Sequence, residues 1–315
     1  MTTRGAPRFD MGSLPLSDRV ARTAWRVAPK RALTGLIGWA AGLGIPSSMR
    51  SAVLGRFARL YGIDTREAEK PFDDYPRVDD FFTRRLALAA RPFETRPDAI
   101  LSPADGTVVE SGLAVDGHLM QAKGVLFELD ELLADEVAAA RLRGGAYLIT
   151  YLSPSDYHRV HTPVAGEITG WRHVPGTLFP VNAKSVEREA GLFIRNERFV
   201  TLIEGAVGLT AVVMVAAVGV GHITAAYDPD VATHDPSFLR ALPRAKSYEV
   251  RPRVAAGDEL ATFHLGSTTI VIFEPGRVAL SSFESGAKTR MGETIGRAIS
   301  VKLEGSPIDG MTRTA

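Results

Sequence analysis

The sequence has no cysteine among its 315 residues. Disulfides, thiolate nucleophiles, Cys-ligated zinc and Cys-bound clusters are therefore excluded. Long apolar runs are missing too. A membrane-spanning helix takes about 20 predominantly apolar residues, whereas the longest uncharged stretch within residues 17–60, Ala32–Met49, holds four glycines and ends in Pro46-Ser47-Ser48. A signal peptide fits poorly, because the basic flank is long and no clear cleavage site follows. Gly219-Val220-Gly221 lacks the third glycine and the following helix of a dinucleotide loop. No internal repeat and no low-complexity tract is present. Acidic residues are scarce at the start. Residues 1–60 hold ten Lys/Arg against Asp10 and Asp18, a net of +8, which leaves −7 on the other 255 residues of a chain totalling +1.

Hydrophobic residues make up 45% and charged residues 23%, enough for a sizeable core. From Ser17 to Leu60, basic and apolar residues alternate at helical spacing, with Trp25, Val27, Leu33, Leu36, Ile37, Trp39 and Leu43 as bulk. That composition predicts interfacial helices on an anionic membrane surface. The alternative is a helical cap packed on the main domain. Nucleic acid is disfavoured, since no binding motif is present and the rest of the chain is acidic. Pro71–Arg77 reads as a linker, so residues 1–75 form a helical, membrane-associating region and 76–315 a second region. Phe81–Leu86 reads as a short helix and Glu128–Arg143 as the clearest helix beyond it. Gly106–Val109, Ala146–Tyr151, Phe199–Ile203 and Leu209–Val220 read as strands. The fold class is α+β: N-terminal amphipathic helices, then a strand-rich, sandwich- or barrel-like domain.

Several residues are candidates for chemistry. His158 and His161 stand three apart in Tyr157-His158-Arg159-Val160-His161, and Thr162-Pro163 disfavours helix there. HxxH without a third ligand is a weak metal signal, so no metal is expected. The pair is either structural or catalytic. Ser102-Pro103-Ala104-Asp105-Gly106 reads as a polar turn, and Asp105 gains interest only as an orienting carboxylate. His264-Leu265-Gly266-Ser267-Thr268 interrupts two apolar strand pieces with a glycine, which weakens a strand. Ser267 is followed by a strand and lacks the second glycine of a nucleophile elbow, so a conventional serine hydrolase is disfavoured.

Together these pieces resemble the bacterial-type phosphatidylserine decarboxylase proenzymes. Phe81-Phe82-Thr83-Arg84-Arg85-Leu86, Pro103-Ala104-Asp105-Gly106, Gln121-Ala122-Lys123-Gly124, Tyr157–His161, Val174-Pro175-Gly176, Asn196-Glu197-Arg198 and Leu265-Gly266-Ser267-Thr268 fall in that family's order and spacing. The resemblance runs from about Trp25 to about Gly296. It implies an inactive proenzyme in which His161, oriented by Asp105, acts as base on Ser267. Ser267 would attack the Gly266 carbonyl, and elimination would leave a pyruvoyl group at residue 267, the enzyme's only cofactor. The products would be a β chain, 1–266, and an α chain, 267–315, held as a heterodimer. The pyruvoyl would form a Schiff base with phosphatidylserine and take up the electrons released with carbon dioxide, giving phosphatidylethanolamine. His158 would position substrate or return the proton. The implied location is peripheral, on the cytoplasmic face of the cell membrane; homo-oligomerisation is left open. One position departs: members often carry serine where this chain has His222.

Overall fold

The computed structural model describes residues 30–91, 93, 96–122, 124–218, 222–233, 244–264 and 267–299. Trp25, Val27, Lys123, Gly219–Gly221, Leu265 and Gly266 lie outside the described residues.

The chain opens with α1 (Lys30–Ala41) and α2 (Ser47–Tyr61). Pro46 precedes α2, and Gly62 ends it in the left-handed region at φ 69°, its N–H closing on the Ala58 carbonyl. A third helix, α3 (Val78–Phe82), completes this layer. Leu54, Ala58, Ile63, Tyr75 and Phe81 form its own small core, so the helical layer continues past residue 75. The helix expected over 81–86 therefore lies earlier and stops at Phe82. Thr83 ends it: its amide and its Oγ1 both donate to the Asp79 carbonyl, at 2.9 and 2.8 Å.

The strands follow in order: β1 (Ala99–Leu101), β2 (Gly106–Leu113), β3 (His118–Ala122), β4 (Val125–Glu128), β5 (Ala146–Leu152), β6 (Arg159–His161), β7 (Gly166–Val174), β8 (Arg198–Gly205), β9 (Gly208–Val215), β10 (His222–Ala225), β11 (Arg244–Ser247), β12 (Arg253–Val254), β13 (Glu259–His264), β14 (Ser267–Phe273), β15 (Val278–Leu280), β16 (Lys288–Thr289) and β17 (Thr294–Ala298). Between β4 and β5 lie α4 (Leu129–Leu133) and α5 (Glu136–Leu142), and between β7 and β8 lie α6 (Ala183–Arg188) and α7 (Leu192–Arg195). The single helix expected over Glu128–Arg143 is thus two. Ala134 turns left-handed at φ 50°, and Asp135 caps α5 by accepting from the Val137 and Ala138 amides, both at 3.1 Å.

The main sheet runs β11-β7-β8-β9-β14-β5-β2-β16, with β12 also on β7. All its pairings are antiparallel. Its central strands read as continuous apolar runs because both faces are buried. Alternation sorts their side chains into two cores. Val271 and Phe273 of β14, with Leu148, Val212 and Phe199, meet Val160, Ile223, Leu260 and Phe263 from a small sheet, β10-β13-β6. Ile270 and Ile272, with Ile149, Val213 and Val200, meet Leu129, Leu132, Ala139, Leu192 and Phe193 from the helices. The strand-rich α+β class expected from the sequence is what the chain adopts.

The apparent strand break at Gly266-Ser267 is a change of sheet. Strand β13 belongs to the small sheet and β14 to the main one. The two described ends, His264 and Ser267, therefore belong to different sheets.

Candidate active site

Ser267 heads β14, opposite Leu152 at the end of β5. It is fully buried, and its Oγ has no hydrogen-bond partner among the described residues. A buried, unpaired hydroxyl costs free energy, so it calls for a reason other than packing. From Thr268 onward the strand is hydrogen-bonded to β5 on one side and β9 on the other. The serine thus sits at the fixed end of an immobile strand.

His158 lies in the turn before β6, and its carbonyl accepts from the Phe263 amide at 2.9 Å. This places it beside the last residues of β13. Its Nδ1 donates to the Asp156 carbonyl at 2.9 Å, so Nε2 carries the lone pair. That Nε2 is buried and unpartnered among the described residues. Phe82 packs on the ring, with centroids 4.1 Å apart. Burial pushes the imidazole pKa down to about 3, which keeps it neutral.

His161 ends β6. Its amide donates to the Pro103 carbonyl at 2.8 Å, tying β6 to the turn that carries Asp105. Its Nδ1 donates to the Gly257 carbonyl at 2.8 Å, and its Nε2 pairs with the Tyr157 hydroxyl at 3.1 Å. Burial lowers its pKa; the Gly257 hydrogen bond and the Asp105 charge oppose this more weakly.

The orientation expected of Asp105 differs from what the structure shows. Arg91 Nε reaches Asp105 Oδ1 at 3.1 Å, Arg91 Nη2 also binds the carboxylate, and the Met291 amide donates to Oδ1 at 2.7 Å. A guanidinium is the stronger partner for a carboxylate. The Asp105 carboxylate is thus held by Arg91 and Met291, while Gly257 and Tyr157 bond the His161 ring. Among the described residues, Asp105, His161 and Ser267 do not form one hydrogen-bonded chain.

Two sequence signals have a sharper physical cause than first supposed. Gly106 is more than a turn residue: a Cβ there would lie 2.4 Å from the Tyr151 carbonyl oxygen and 2.7 Å from Thr150 Cγ2. Only glycine lets β2 approach β5 behind Asp105. His222, the position that departs from the family, is half-buried. It pairs in register with His264, the two rings 4.4 Å apart, and His264 Nδ1 bonds Asp79 Oδ2 at 2.8 Å. The roles of Arg91, Gly257 and Asp79 were not foreseen, because each depends on a partner 14 to 185 residues away. Among the described residues, no group of three His, Asp or Glu is placed to hold a metal ion.

An apolar cavity of about 600 Å³ lies beside this site. Ile37 and Ala40 of α1, Phe57 of α2 and Phe82 of α3 form one wall; Tyr151, Val181 and Ala217 form the other. Phe82 is the residue packed on His158, and Tyr151 is paired with Thr268, next to Ser267. The outer face of the helices carries exposed apolar side chains: Leu36 is 59% exposed, Trp39 64% and Leu60 75%. Among the described residues, no helix is long and apolar enough to cross a membrane.

Comparison with known proteins places the chain in a family. Residues 78–297 match the family described as phosphatidylserine decarboxylase. The phosphatidylserine decarboxylase proenzyme of Anaeromyxobacter sp. (strain K) is 43% identical over 285 residues, covering 90% of this chain and all of that one. That of Myxococcus xanthus (strain DK1622) is 40% identical over 284 residues, 89% of this chain and 99% of its own. That of Saccharophagus degradans is 37% identical over 273 residues, 86% and 94% respectively. The match takes in every candidate residue above and most of both sheets, and on that basis the chain belongs to the phosphatidylserine decarboxylase family.

Proposed function

We propose that this chain is a phosphatidylserine decarboxylase, made as a proenzyme that cuts itself between Gly266 and Ser267. The observation that carries the reading is Ser267: a buried hydroxyl with no hydrogen-bond partner among the described residues, at the head of a strand paired on both sides. Ser267 Oγ attacks the Gly266 carbonyl carbon and gives up its proton to His161. The C–N bond breaks, the amine nitrogen gains a proton, and an ester joins the two chains. Loss of the Ser267 α-proton expels Gly266 as a carboxylate. Hydrolysis of the resulting dehydroalanine releases ammonia and leaves a pyruvoyl group.

The side chains present fit these tasks. Burial keeps both histidines neutral near pH 7, as a base requires. After cutting, β14 remains paired to β5 and β9, so the α chain, 267–315, stays bound to the β chain, 1–266, as a heterodimer. The pyruvoyl group supplies the electron sink for decarboxylation. His158 Nε2, which carries a lone pair, takes up a proton from the substrate's ammonium group and returns it to the carbon that has lost carbon dioxide. A second reading is favoured by one observation: the free acceptor is His158 Nε2, whereas both ring nitrogens of His161 are engaged. In that reading His158 takes the Ser267 proton and His161 positions the turn.

The apolar cavity offers the acyl chains a path from the helices to Ser267. Exposed Leu36, Trp39 and Leu60 suit a protein seated peripherally on the cytoplasmic face of the membrane. The basic segment adds about 1 kcal/mol per charge near an anionic surface.

Mass measurement on denatured protein tests the cut. A 49-residue C-terminal fragment beginning with a pyruvoyl group is expected. Active protein that remains one 33.9 kDa chain overturns the proposal. His158→Ala and His161→Ala, compared for cutting, decide between the two base assignments.

A further inference from the structure

Arg84, two residues beyond α3, is 3% exposed. Its guanidinium carbon lies 5.5 Å from the Phe81 ring centroid. Its Nε and Nη1 are buried and have no hydrogen-bond partner among the described residues. An orphaned buried donor is costly, and more so when charged. Burial alone pushes its pKa down. The guanidinium offers a planar fork of donors whose natural complement is an oxyanion.

Arg84 lines a polar cavity of about 290 Å³, shared with Arg91, Asp105, Tyr157, Lys288 and Arg290. The acids around it are already engaged. Arg91 donates to both Glu67 oxygens, at 2.9 and 2.8 Å, as well as to Asp105. Asp64 is paired with Arg66 at 2.7 Å, and Asp156 Oδ2 accepts from the Ser153 amide and hydroxyl, both at 2.7 Å. The outer cations are not. Lys288 Nζ is 3.9 Å from Asp156, and Arg290 Nη1 is 4.0 Å from Glu67, both too long for hydrogen bonds. Their side chains are 64% and 68% exposed, free to fold over a bound group. The acids are occupied, and three cations keep donors to spare.

We infer that this cavity binds a phosphate-class oxyanion, with Arg84 as the buried donor and Lys288 and Arg290 closing over the mouth. Two sources supply that chemistry: the phosphodiester of a lipid headgroup, and free inorganic phosphate. The inference uses neither Ser267 nor the cut, so it stands or falls separately from the decarboxylase reading.

The full-length protein is titrated with inorganic phosphate, and separately with the soluble diester glycerophosphoethanolamine, at constant ionic strength set by chloride. Phosphorus-31 line width and the unfolding temperature are read. A ligand that binds only the folded state raises its stability with concentration. Line broadening and a rising Tm are expected with at least one of the two. A response to the diester alone identifies a lipid headgroup; a response to inorganic phosphate alone, or to both, identifies a general phosphate site. Lys288→Ala/Arg290→Ala should weaken the apparent affinity tenfold or more. Arg84→Met should abolish the response while unfolding no earlier than wild type in phosphate-free buffer, since it removes a buried unpaired charge. If Arg84→Met does not fold, the mouth variant still carries the test. No response to either probe in wild type overturns the inference. So does a response that survives both variants unchanged, which would be adventitious anion binding elsewhere.

Discussion

Strand β14 and helix α1 use similar apolar side chains in opposite ways. Every residue of β14 is buried, and its Ile and Val side chains are shared between two cores. Helix α1 leaves Leu36 and Trp39 more than half exposed. Folding consumes the apolar surface of the strand and leaves that of the helix. What folding does not consume is available to a partner, and exposed apolar patches mark interaction surfaces. Some polar atoms invert the pattern: Ser267 Oγ, with Thr268 and Thr269 Oγ1, sits in the consumed region and has no hydrogen-bond partner among the described residues.

Ser267→Ala breaks that comparison most severely. It should abolish cutting and activity together, leaving a single 33.9 kDa chain. Its stability should match or exceed that of wild-type proenzyme held uncut, because the lost hydroxyl has no hydrogen-bond partner among the described residues. A large drop in the urea midpoint would mean that Ser267 has a structural role.

Ile272→Ala tests the consumed side directly. Ile272 is fully buried between α-helical and sheet residues. Truncation should cost about 2–5 kcal/mol, the range for large-to-small core changes. Equilibrium unfolding measures it; a loss under 1 kcal/mol would mean that the core around β14 is loosely packed.

Much of this was legible in the sequence. The strands from Gly106, Ala146, Phe199 and Leu209 were marked by β-branched runs, and their starts fall within two residues of the observed ones. The helical errors had local causes invisible to periodicity: a capping Asp135 and a Thr83 that bonds back to Asp79. The histidines and Ser267 were legible as a set because short motifs carry them. Their partners were not. Arg91 on Asp105 and Asp79 on His264 are side-chain pairs set by tertiary packing, and no spacing rule reaches 185 residues.

A smaller effect comes from His158. Its pKa of about 3 in the folded protein lies below the unfolded value of about 6.5. Between those values the unfolded chain binds more protons, so stability is full above pH 6.5 and falls as pH drops toward 3. The slope approaches about 1.4 kcal/mol per pH unit, or about 2 kcal/mol between pH 6.5 and 5. Carboxylates such as Glu67 add a loss of the same sign, but nearer their own unfolded pKa of about 4. His158→Gln should flatten the profile between pH 6.5 and 5. An unchanged slope in that variant would assign it to other groups.

The smallest effect on stability should come from the unconsumed side. Leu36→Ser/Trp39→Ser removes two apolar side chains already in water, so unfolding should shift by about 0.5 kcal/mol or less. Its effect on vesicle binding should be far larger. At roughly 25 cal/mol per Å² of apolar area, a Trp and a Leu withdrawn from water into lipid contribute several kcal/mol. Co-sedimentation with vesicles containing phosphatidylserine should therefore fall at least tenfold while the melting curve stays in place. Salt separates this contribution from the basic segment, since 0.5 M salt screens charge but leaves apolar transfer intact. Wild-type binding lost entirely at high salt would assign the attachment to charge. The exposed face of α1 would then be a helical cap with no membrane role, and the contrast with β14 would be one of packing alone.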